Sequence, residues 1–376
     1  MIVAAALVAG GALALALRVA LARERAPRLP AADPDPPPVA VLLPVRDEED
    51  NVEACLAALA AQTAPVTIRV LDDGSRDRTA RLAGRFAASD ARVEVRAVPP
   101  PPAGVNGKIH ALARGSRDLE ADWILAVDAD ARPAPAALAR ALAAARLHGL
   151  AAVSLAARQR TRGPGEGLLT PLVFAWLDLR LGDWSRAAIG RGGPVANGQF
   201  LLVRRDALEA VGGYAALLHD PLDDVALAWR LTADGGRVGF WRAGDLLEVR
   251  MYRGGRATFL GWRRNLALLV GDRPAEACAL ALAALLPAAT ALAAAASGSI
   301  PATVVAWAGA VAASLVVRSE SGASAFWGLL YPVDALIFAG CVAAAATDRR
   351  RRRLRAWRGR PVAEPDQPPM KDKLAE

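Results

Sequence analysis

Two carboxylates stand two residues apart in Asp128-Ala129-Asp130, directly after the apolar run Trp123-Ile124-Leu125-Ala126-Val127. Placed so after a buried strand, they repel each other unless a cation lies between them. An oxygen donor set of this kind suits Mg²⁺ or Mn²⁺, ions that in turn bridge phosphate oxygens. A lone Asp-x-Asp is also what a solvated turn looks like. Two further apolar runs end in acidic patches, however: Pro44-Val45-Arg46-Asp47-Glu48-Glu49-Asp50-Asn51 and Asp72-Asp73-Gly74-Ser75-Arg76-Asp77-Arg78-Thr79. Taken singly, each patch is accounted for by turn chemistry, with Asp-Gly punctuating a loop and Ser or Asp capping a helix. Three acidic strand ends in one sheet are harder to explain that way. A further pair, Asp223-Asp224, opens the helical pattern Val225–Leu231. Early aspartates favour the helix dipole, a role that can coexist with catalysis.

The elements that must position these residues follow an α/β rhythm between the proline-rich stretch Pro30–Pro38 and about Arg273. Strands are expected at Val39–Leu43, Thr67–Leu71, Val93–Val98, Trp123–Val127 and Ala151–Leu155, with helices around Asn51–Gln62, Arg78–Ala88, Ile109–Arg114 and Pro135–Leu147. Ligands of such sheets sit beyond the carboxyl ends of the strands, where the acidic patches lie. The Gly/Pro-rich stretch Arg162–Asn197, with Trp176 and Trp184, reads as irregular: either a loop framing a second substrate or a segment packed on the membrane. Arg253–Val270, with Phe259, Trp262 and Leu266, reads as an amphipathic segment lying on a bilayer.

Apolar segments flank this region. Residues 1–17 are uncharged, with Arg18, Arg23, Arg25 and Arg28 following, which predicts a retained anchor with the amino terminus outside and the remainder cytoplasmic. No charge occurs from Ala277 to Val317, a run broken at Ser297–Pro301 and read as two spans. A third apolar run, Ser321–Thr347, carries Asp334 and precedes Arg349–Arg353. Three C-terminal crossings would leave that arginine cluster outside, against the positive-inside rule, so one segment is expected not to cross; the third run, broken by Pro332 and Asp334, is a candidate for a re-entrant segment, and sequence alone does not choose among them. Asp334 reads either as a functional intramembrane acid or as one buried in protein.

The chain has 376 residues, is 54% hydrophobic and has a net charge of +8. Its mean hydropathy is +0.24 with a pI near 10.2, so it is at once oily and basic. Residues 1–30 carry a net +3 and residues 348–376 a net +5, leaving the interior neutral. A nucleic-acid enzyme spreads basic residues over its binding face, so no nucleic-acid partner is expected. Cys55, Cys278 and Cys341 are odd in number and far apart, which fits a reducing compartment and neither a disulfide framework nor a metal site.

In chain order, Pro44…Glu48, Asp72-Asp73-Gly74-Ser75…Asp77, Gly107-Lys108, Asp128-Ala129-Asp130 and Asp223-Asp224-x-x-Leu227-x-x-Arg230-Leu231 resemble a family 2 glycosyltransferase of GT-A fold over roughly residues 38–270. The membrane arrangement, with Asn197-Gly198-Gln199-Phe200, Arg250-Met251-Tyr252 and Trp357-Arg358-Gly359-Arg360, resembles the hopene-associated and diaponeurosporenoate (carotenoid) branch. The Gln-x-x-Arg-Trp signature of processive members is absent, and Gly261-Trp262-Arg263-Arg264-Asn265 stands in the comparable region.

The resemblance implies an α/β chain: a Rossmann-like mixed-sheet GT-A domain at 39–252, cytoplasmic, with N-terminal and C-terminal transmembrane helices. Its other expected parts are an anchor at 1–22, a linker at 23–38, an interfacial segment at 253–274, a transmembrane region at 275–347 and a basic cytoplasmic tail at 348–376. It implies an inverting, non-processive transfer of sugar from a nucleotide sugar, a UDP-sugar, to a membrane lipid acceptor, in a multi-pass protein of the cell membrane. Pro44, Glu48, Asp72 and Asp73 would hold the nucleoside, since carboxylates accept from an imide N–H and from ribose hydroxyls. Lys108 would meet the diphosphate, or else is a solvated loop lysine. Asp128 and Asp130 would hold Mg²⁺ or Mn²⁺, offsetting charge on the leaving group. Asp224 matches the general base, and one base suffices for a single displacement with inversion. Asn197, Gln199, Asp223 and Trp262 are expected on the acceptor side, and His219 either assists the diphosphate or is a loop histidine. The competing classes are an inactive membrane scaffold of the same fold and a nucleotidyltransferase. The latter would carry a glycine-rich basic loop after the first strand, where Pro44–Asn51 is acidic and glycine-free.

Overall fold

The computed structural model describes residues 1–220, 222–270, 274–319, 323–350, 356–357 and 360–361. The chain forms two compact units, a helical one built among the described residues from Met1–Arg25, Gln159–Gly182 and the segment 250–350, and a sheet unit built mainly from Ala26–Arg158 and Asp183–Val249.

In chain order the elements begin with α1 (Ile2–Glu24), β1 (Val39–Val45), α2 (Val52–Ala60), β2 (Val66–Asp72), α3 (Thr79–Ser89), β3 (Val93–Ala97) and α4 (Gly107–Gly115). There follow β4 (Trp123–Val127), β5 (Ala131–Pro133), α5 (Ala137–His148), β6 (Ala152–Gln159), α6 (Pro164–Gly167), α7 (Thr170–Leu181) and α8 (Trp184–Ala188). The sheet unit is completed by β7 (Phe200–Arg204), α9 (Arg205–Ala210), a 3₁₀ turn at Tyr214–Leu217, α10 (Asp223–Ala233) and β8 (Val238–Val249). The remaining helices are α11 (Gly255–Val270), α12 (Pro274–Ala296), α13 (Ile300–Ser319), a 3₁₀ turn at Ala325–Leu330 and α14 (Val333–Arg350).

Eight strands form one mixed sheet in the order β3-β2-β1-β4-β7-β6-β8-β5. β1 is apolar throughout and covered on both faces, as a central parallel strand must be. It pairs in parallel with β2, Val45 opposite Asp72, and with β4, Leu42 opposite Ala126. This register brings the acidic loops after β1, β2 and β4 to one edge of the sheet. β7 runs antiparallel to β4 with Phe200 opposite Val127, so the residues just before β7, Asn197-Gly198-Gln199, arrive beside the carboxyl end of β4. The five expected strands are present, and β5, β7 and β8 are additional to them.

The stretch expected to be irregular is instead three short helices, α6, α7 and α8. Its glycines mark their ends: Gly163 precedes α6 and Gly182 follows α7, both with positive φ. Trp176 and Trp184 are both buried, each in its own unit.

In the helical unit, Ile2–Glu24, Cys278–Ala296 and Ile300–Arg318 are long and apolar enough to cross a membrane. The apolar stripe of α11, read from sequence as lying on a bilayer, faces protein instead. Trp262 and Leu266 share a buried cluster with Val173 of α7 and with Phe338, Cys341 and Val342 of α14. Asp334, at the start of α14, is 1% exposed, accepts from Ser314 Oγ at 2.7 Å and pairs with Arg318 Nη2 at 2.9 Å. It is therefore a protein-buried acid. Of the basic run Arg349–Arg353, only Arg349 and Arg350 fall among the described residues, as do Trp357 and Arg360 of the terminal motif; most of the expected tail at 348–376 lies outside them.

Candidate active site

The site grows from the loops at the carboxyl edge of the sheet. After β2, Asp72 folds the chain back by accepting from Ser75 N at 3.2 Å and from Ser75 Oγ, an Asx turn in which Gly74 takes a positive φ. After β1 the chain crosses to that turn: Asp47 N donates to Ser75 Oγ at 3.1 Å, Glu48 N to Thr79 Oγ1 at 2.7 Å, and Glu49 N to Asp77 Oδ2 at 3.0 Å. The first two acidic patches are thus one interlocked platform. Pro44 and Asp72 are partly exposed on it. Asp73 is 2% exposed, its backbone and carboxylate oxygens taken by Arg46 Nη1 at 3.1 and 3.4 Å.

After β4, Asp128 and Asp130 face the same edge. One carboxylate oxygen of Asp130, Oδ1, is buried with no hydrogen-bond partner. Burial first, then the charges of Asp128 and Glu48, push Asp130 up to about 7. An orphaned anionic oxygen beside a second carboxylate is what a hard divalent cation would satisfy, so the donor set fits Mg²⁺ or Mn²⁺. Among the described residues no three His, Cys, Asp or Glu side chains form a self-contained metal cage.

Lys108 enters from the first turn of α4, whose Asn106 cap accepts from Lys108 N at 3.1 Å. Its Nζ lies 2.7 Å from Asp128 Oδ1 and 3.6 Å from Asp223 Oδ2. Burial opposes the ammonium charge, but Asp128 and Asp223 outweigh it and hold Lys108 above its usual range. The lysine is therefore mostly buried among carboxylates and is not a solvated loop side chain. A Cβ at position 198 would stand 2.7 Å from Nζ, so a side chain there would displace the end of the lysine.

Asp224 completes the cluster. Its Oδ2 accepts from Gly198 N at 2.8 Å and its Oδ1 from Val225 N at 2.8 Å. The second contact is local, to the next residue of the first turn of α10; the first ties the acid to the loop before β7. Burial and then Asp223 push Asp224 up to about 6, within range of a working base near neutral pH. Asn197 Nδ2 donates to Gln199 Oε1 at 3.1 Å, Gln199 N to Asn197 Oδ1 at 3.0 Å, and the Asn197 backbone exchanges bonds with Ser154. One sheet edge thus brings together Glu48, Asp72, Lys108, Asp128, Asp130, Asn197, Gln199, Asp223 and Asp224.

Comparison with known proteins finds a family that this chain is similar to. The model of glycosyl transferase family 2 matches residues 40–212. No curated protein matches it. Among solved structures, the mannosyltransferase PcManGT from Pyrobaculum calidifontis, in complex with GDP-Man and Mn²⁺, is 22% identical and aligns over 92% of this chain and 98% of its own, with a TM-score of 0.57. S. aureus TarS 1–349 in complex with UDP-GlcNAc is 13% identical over 83% of this chain and 91% of its own, TM-score 0.42. Glucosyl-3-phosphoglycerate synthase from Mycobacterium tuberculosis, in complex with Mn²⁺, UDP and glucosyl-3-phosphoglycerate, is 23% identical over 62% of this chain and 79% of its own, TM-score 0.39.

Two residues around this cluster were not singled out from sequence. Arg132 donates through Nη1 to the carbonyls of Ala129 and Ala131 at 2.9 and 2.7 Å, and through Nη2 to Asn51 O at 3.1 Å. Asn51 Nδ2 donates in turn to Glu48 Oε2 at 2.8 Å. A single guanidinium thereby fastens the Asp128–Asp130 loop to the Glu48 loop, a use of the planar fork that lysine cannot copy. Tyr214 is 2% exposed, its hydroxyl without a hydrogen-bond partner and close enough to Asp223 and Lys108 to feel both charges. Neither announces itself in sequence, because each acts on groups far away along the chain. Trp262, expected on the acceptor side, is 2% exposed, and its ring meets Phe174 edge-on while its Nε1 donates to Thr170 Oγ1 at 3.3 Å. Packing in the helical unit accounts for it. His219 is exposed, in the loop before α10.

Proposed function

We propose that this chain is a family 2 glycosyltransferase, an inverting, non-processive, metal-dependent enzyme of the cell membrane, its sheet unit cytoplasmic, moving a sugar from a UDP-sugar to a membrane lipid hydroxyl or carboxyl. The observation that carries the reading is that one ammonium, on Lys108, touches both Asp128 and Asp223, the neighbour of Asp224. Donor-holding and proton-accepting carboxylates thus lie within one side chain's reach.

Glu48 and Asp72 offer acceptors to a nucleoside, on a platform that Asp73 stiffens through Arg46. Asp130 and Asp128 would hold Mg²⁺ or Mn²⁺, which would supply positive charge to offset the negative charge growing on the departing diphosphate. Lys108 exchanges its carboxylate partners for the diphosphate when the donor arrives. Asp224, oriented by the Gly198 amide, takes the proton from the acceptor as the acceptor oxygen attacks the anomeric carbon opposite the leaving group. The C1–O bond to the acceptor forms while the C1–O bond to the diphosphate breaks, and the configuration inverts.

Three apolar helices support a membrane address, and a lipid acceptor follows from it as the substrate found in that plane. The region comparable to the processive signature offers no substrate contact of that kind: Trp262 is buried and Arg263 is bound to Asp348 at 2.5 Å. Purified protein incubated with radiolabelled UDP-sugars, Mn²⁺ and membrane lipid extract should label a single organic-phase product of inverted anomeric configuration. Label confined to water-soluble products would exclude the lipid acceptor, and a retained anomer would exclude Asp224 as base.

A further inference from the structure

We infer that residues 325–348 form a re-entrant element, entering the bilayer from the side on which α13 ends to about half its depth and leaving on the same side, so that the chain crosses three times. The inference rests on the membrane reading above and concerns the helical unit alone.

Depth can be read along the α12–α13 hairpin, whose turn lies at Ser297–Ser299. Tyr331 and Ala335 pack against Ala288 and Ala310. With a helical rise of 1.5 Å per residue, both partners lie about 12–15 Å from that turn, near the middle of an apolar layer roughly 30 Å thick. The far end of α14 lies at the opposite end of the hairpin. Ala345 joins the cluster of Trp262 and Leu266, with Leu280 of early α12 packed against it, and Asp348 is bound by Arg263 of α11. α14 therefore runs from the hairpin's middle back to the end at which α13 finishes.

Composition agrees. Between Asp334 and Asp348 lie only thirteen uncharged residues, too few for a span and typical of a re-entrant or interfacial segment. The charge at the buried tip is neutralised inside the protein. Arg318 donates to Ser314 O and to Leu168 O, both at 3.1 Å, and pairs with Asp334. The outward side of the same element is apolar: Phe326, Leu329, Leu330, Val333 and Leu336 are all exposed. It continues the exposed apolar faces of the candidate spans, carried by Leu282, Leu286, Val304 and Trp307, and acyl chains are the one occupant that fits both. Three crossings also place Arg349 and Arg350 on the same side as Arg18–Arg28, which resolves the conflict with the positive-inside rule.

Single cysteines test this in the full chain with Cys278→Ser as background, Cys55 and Cys341 being buried. Glu53→Cys reports the catalytic unit, Lys371→Cys the basic tail, and Leu329→Cys, with Leu336→Cys as its alternate, the apolar tip. In sealed vesicles a charged maleimide should label positions 53 and 371 from the same side, and position 329 or 336 at least tenfold more slowly than after detergent. Labelling of 53 and 371 from opposite sides would make α14 a fourth crossing and overturn the inference while leaving the membrane reading intact. Fast labelling of both tip positions in sealed vesicles would likewise overturn it. Recovery of the chain in the soluble fraction would overturn the membrane reading itself, and this inference with it.

Discussion

The Lys108 ammonium stands 2.7 Å from the Asp128 carboxylate, although the two residues come from different elements, the first turn of α4 and the end of β4. With Asp223 at 3.6 Å on its other side, the same nitrogen is the counter-ion of the cluster before any donor binds. Lys108→Met removes it and leaves those carboxylates facing one another. The partners are partly exposed, so the loss of stability should be modest, about 1–2 kcal/mol, seen as a lowered Tm. The larger effect is expected on the donor, with KM for the UDP-sugar rising at least tenfold. An unchanged KM would remove Lys108 from the diphosphate.

Asp224 sets the acid side of the pH profile. A base pushed up to about 6 is protonated, and idle, below that pH, so kcat/KM should rise as pH increases through about 6 and then level. An ordinary aspartate would put this limb near 4. Asp224→Asn should lower kcat by about 10²–10⁴-fold while UDP binding, measured by calorimetry, survives. Retained transfer would exclude Asp224 as the base.

Asp130 offers a trade between stability and function. Its buried, unpartnered oxygen is unfavourable in the metal-free protein, so Asp130→Asn should stabilise that form by about 1–2 kcal/mol. The same change should abolish the stabilisation that Mn²⁺ with UDP confers on the wild type. A variant that is less stable without metal, or still responds to Mn²⁺ with UDP, would contradict the assignment.

What the sequence reveals, and what it hides, divides by physical cause. β1, β2 and β4 are continuous apolar runs with acidic ends, because central parallel strands are buried on both faces and ligands meet their carboxyl ends. β7 is hidden behind a glycine-rich approach, and β8 is interrupted by Gly239, Gly244 and Asp245. Without β7 there is no way to see that Gly198 would reach Asp224, twenty-six positions on. The amphipathic pattern of α11 is legible, but a stripe of Trp262 and Leu266 looks the same whether lipid or α14 covers it.

Arg132 is predicted to be a positioning residue. It touches neither expected ligand, yet it fastens the loop of Asp128 and Asp130 to that of Glu48 through Asn51. Outer-shell contacts of metal sites are typically worth about 10–100-fold in affinity. Arg132→Leu should weaken Mn²⁺-dependent UDP binding by that factor with little change in circular dichroism. Arg132→Lys should fail to restore it, because an ammonium cannot serve the two carbonyls and Asn51 at once. Rescue by lysine would reduce Arg132 to a source of positive charge.

Arg318 and Asp334 allow charge burial to be separated from packing in the helical unit. Both are essentially inaccessible, so Asp334→Ala leaves an unpaired guanidinium and should destabilise the detergent-solubilised protein by about 3–5 kcal/mol. Replacing both, with Arg318→Met and Asp334→Leu, removes the charges together and should recover most of that loss, since buried pairs contribute little beyond what well-packed apolar side chains supply. The remaining deficit measures what Arg318 contributes by holding the Ser314 and Leu168 carbonyls. If the double variant is as unstable as the single one, those carbonyl contacts, and not charge neutralisation, hold the tip of α14 in place.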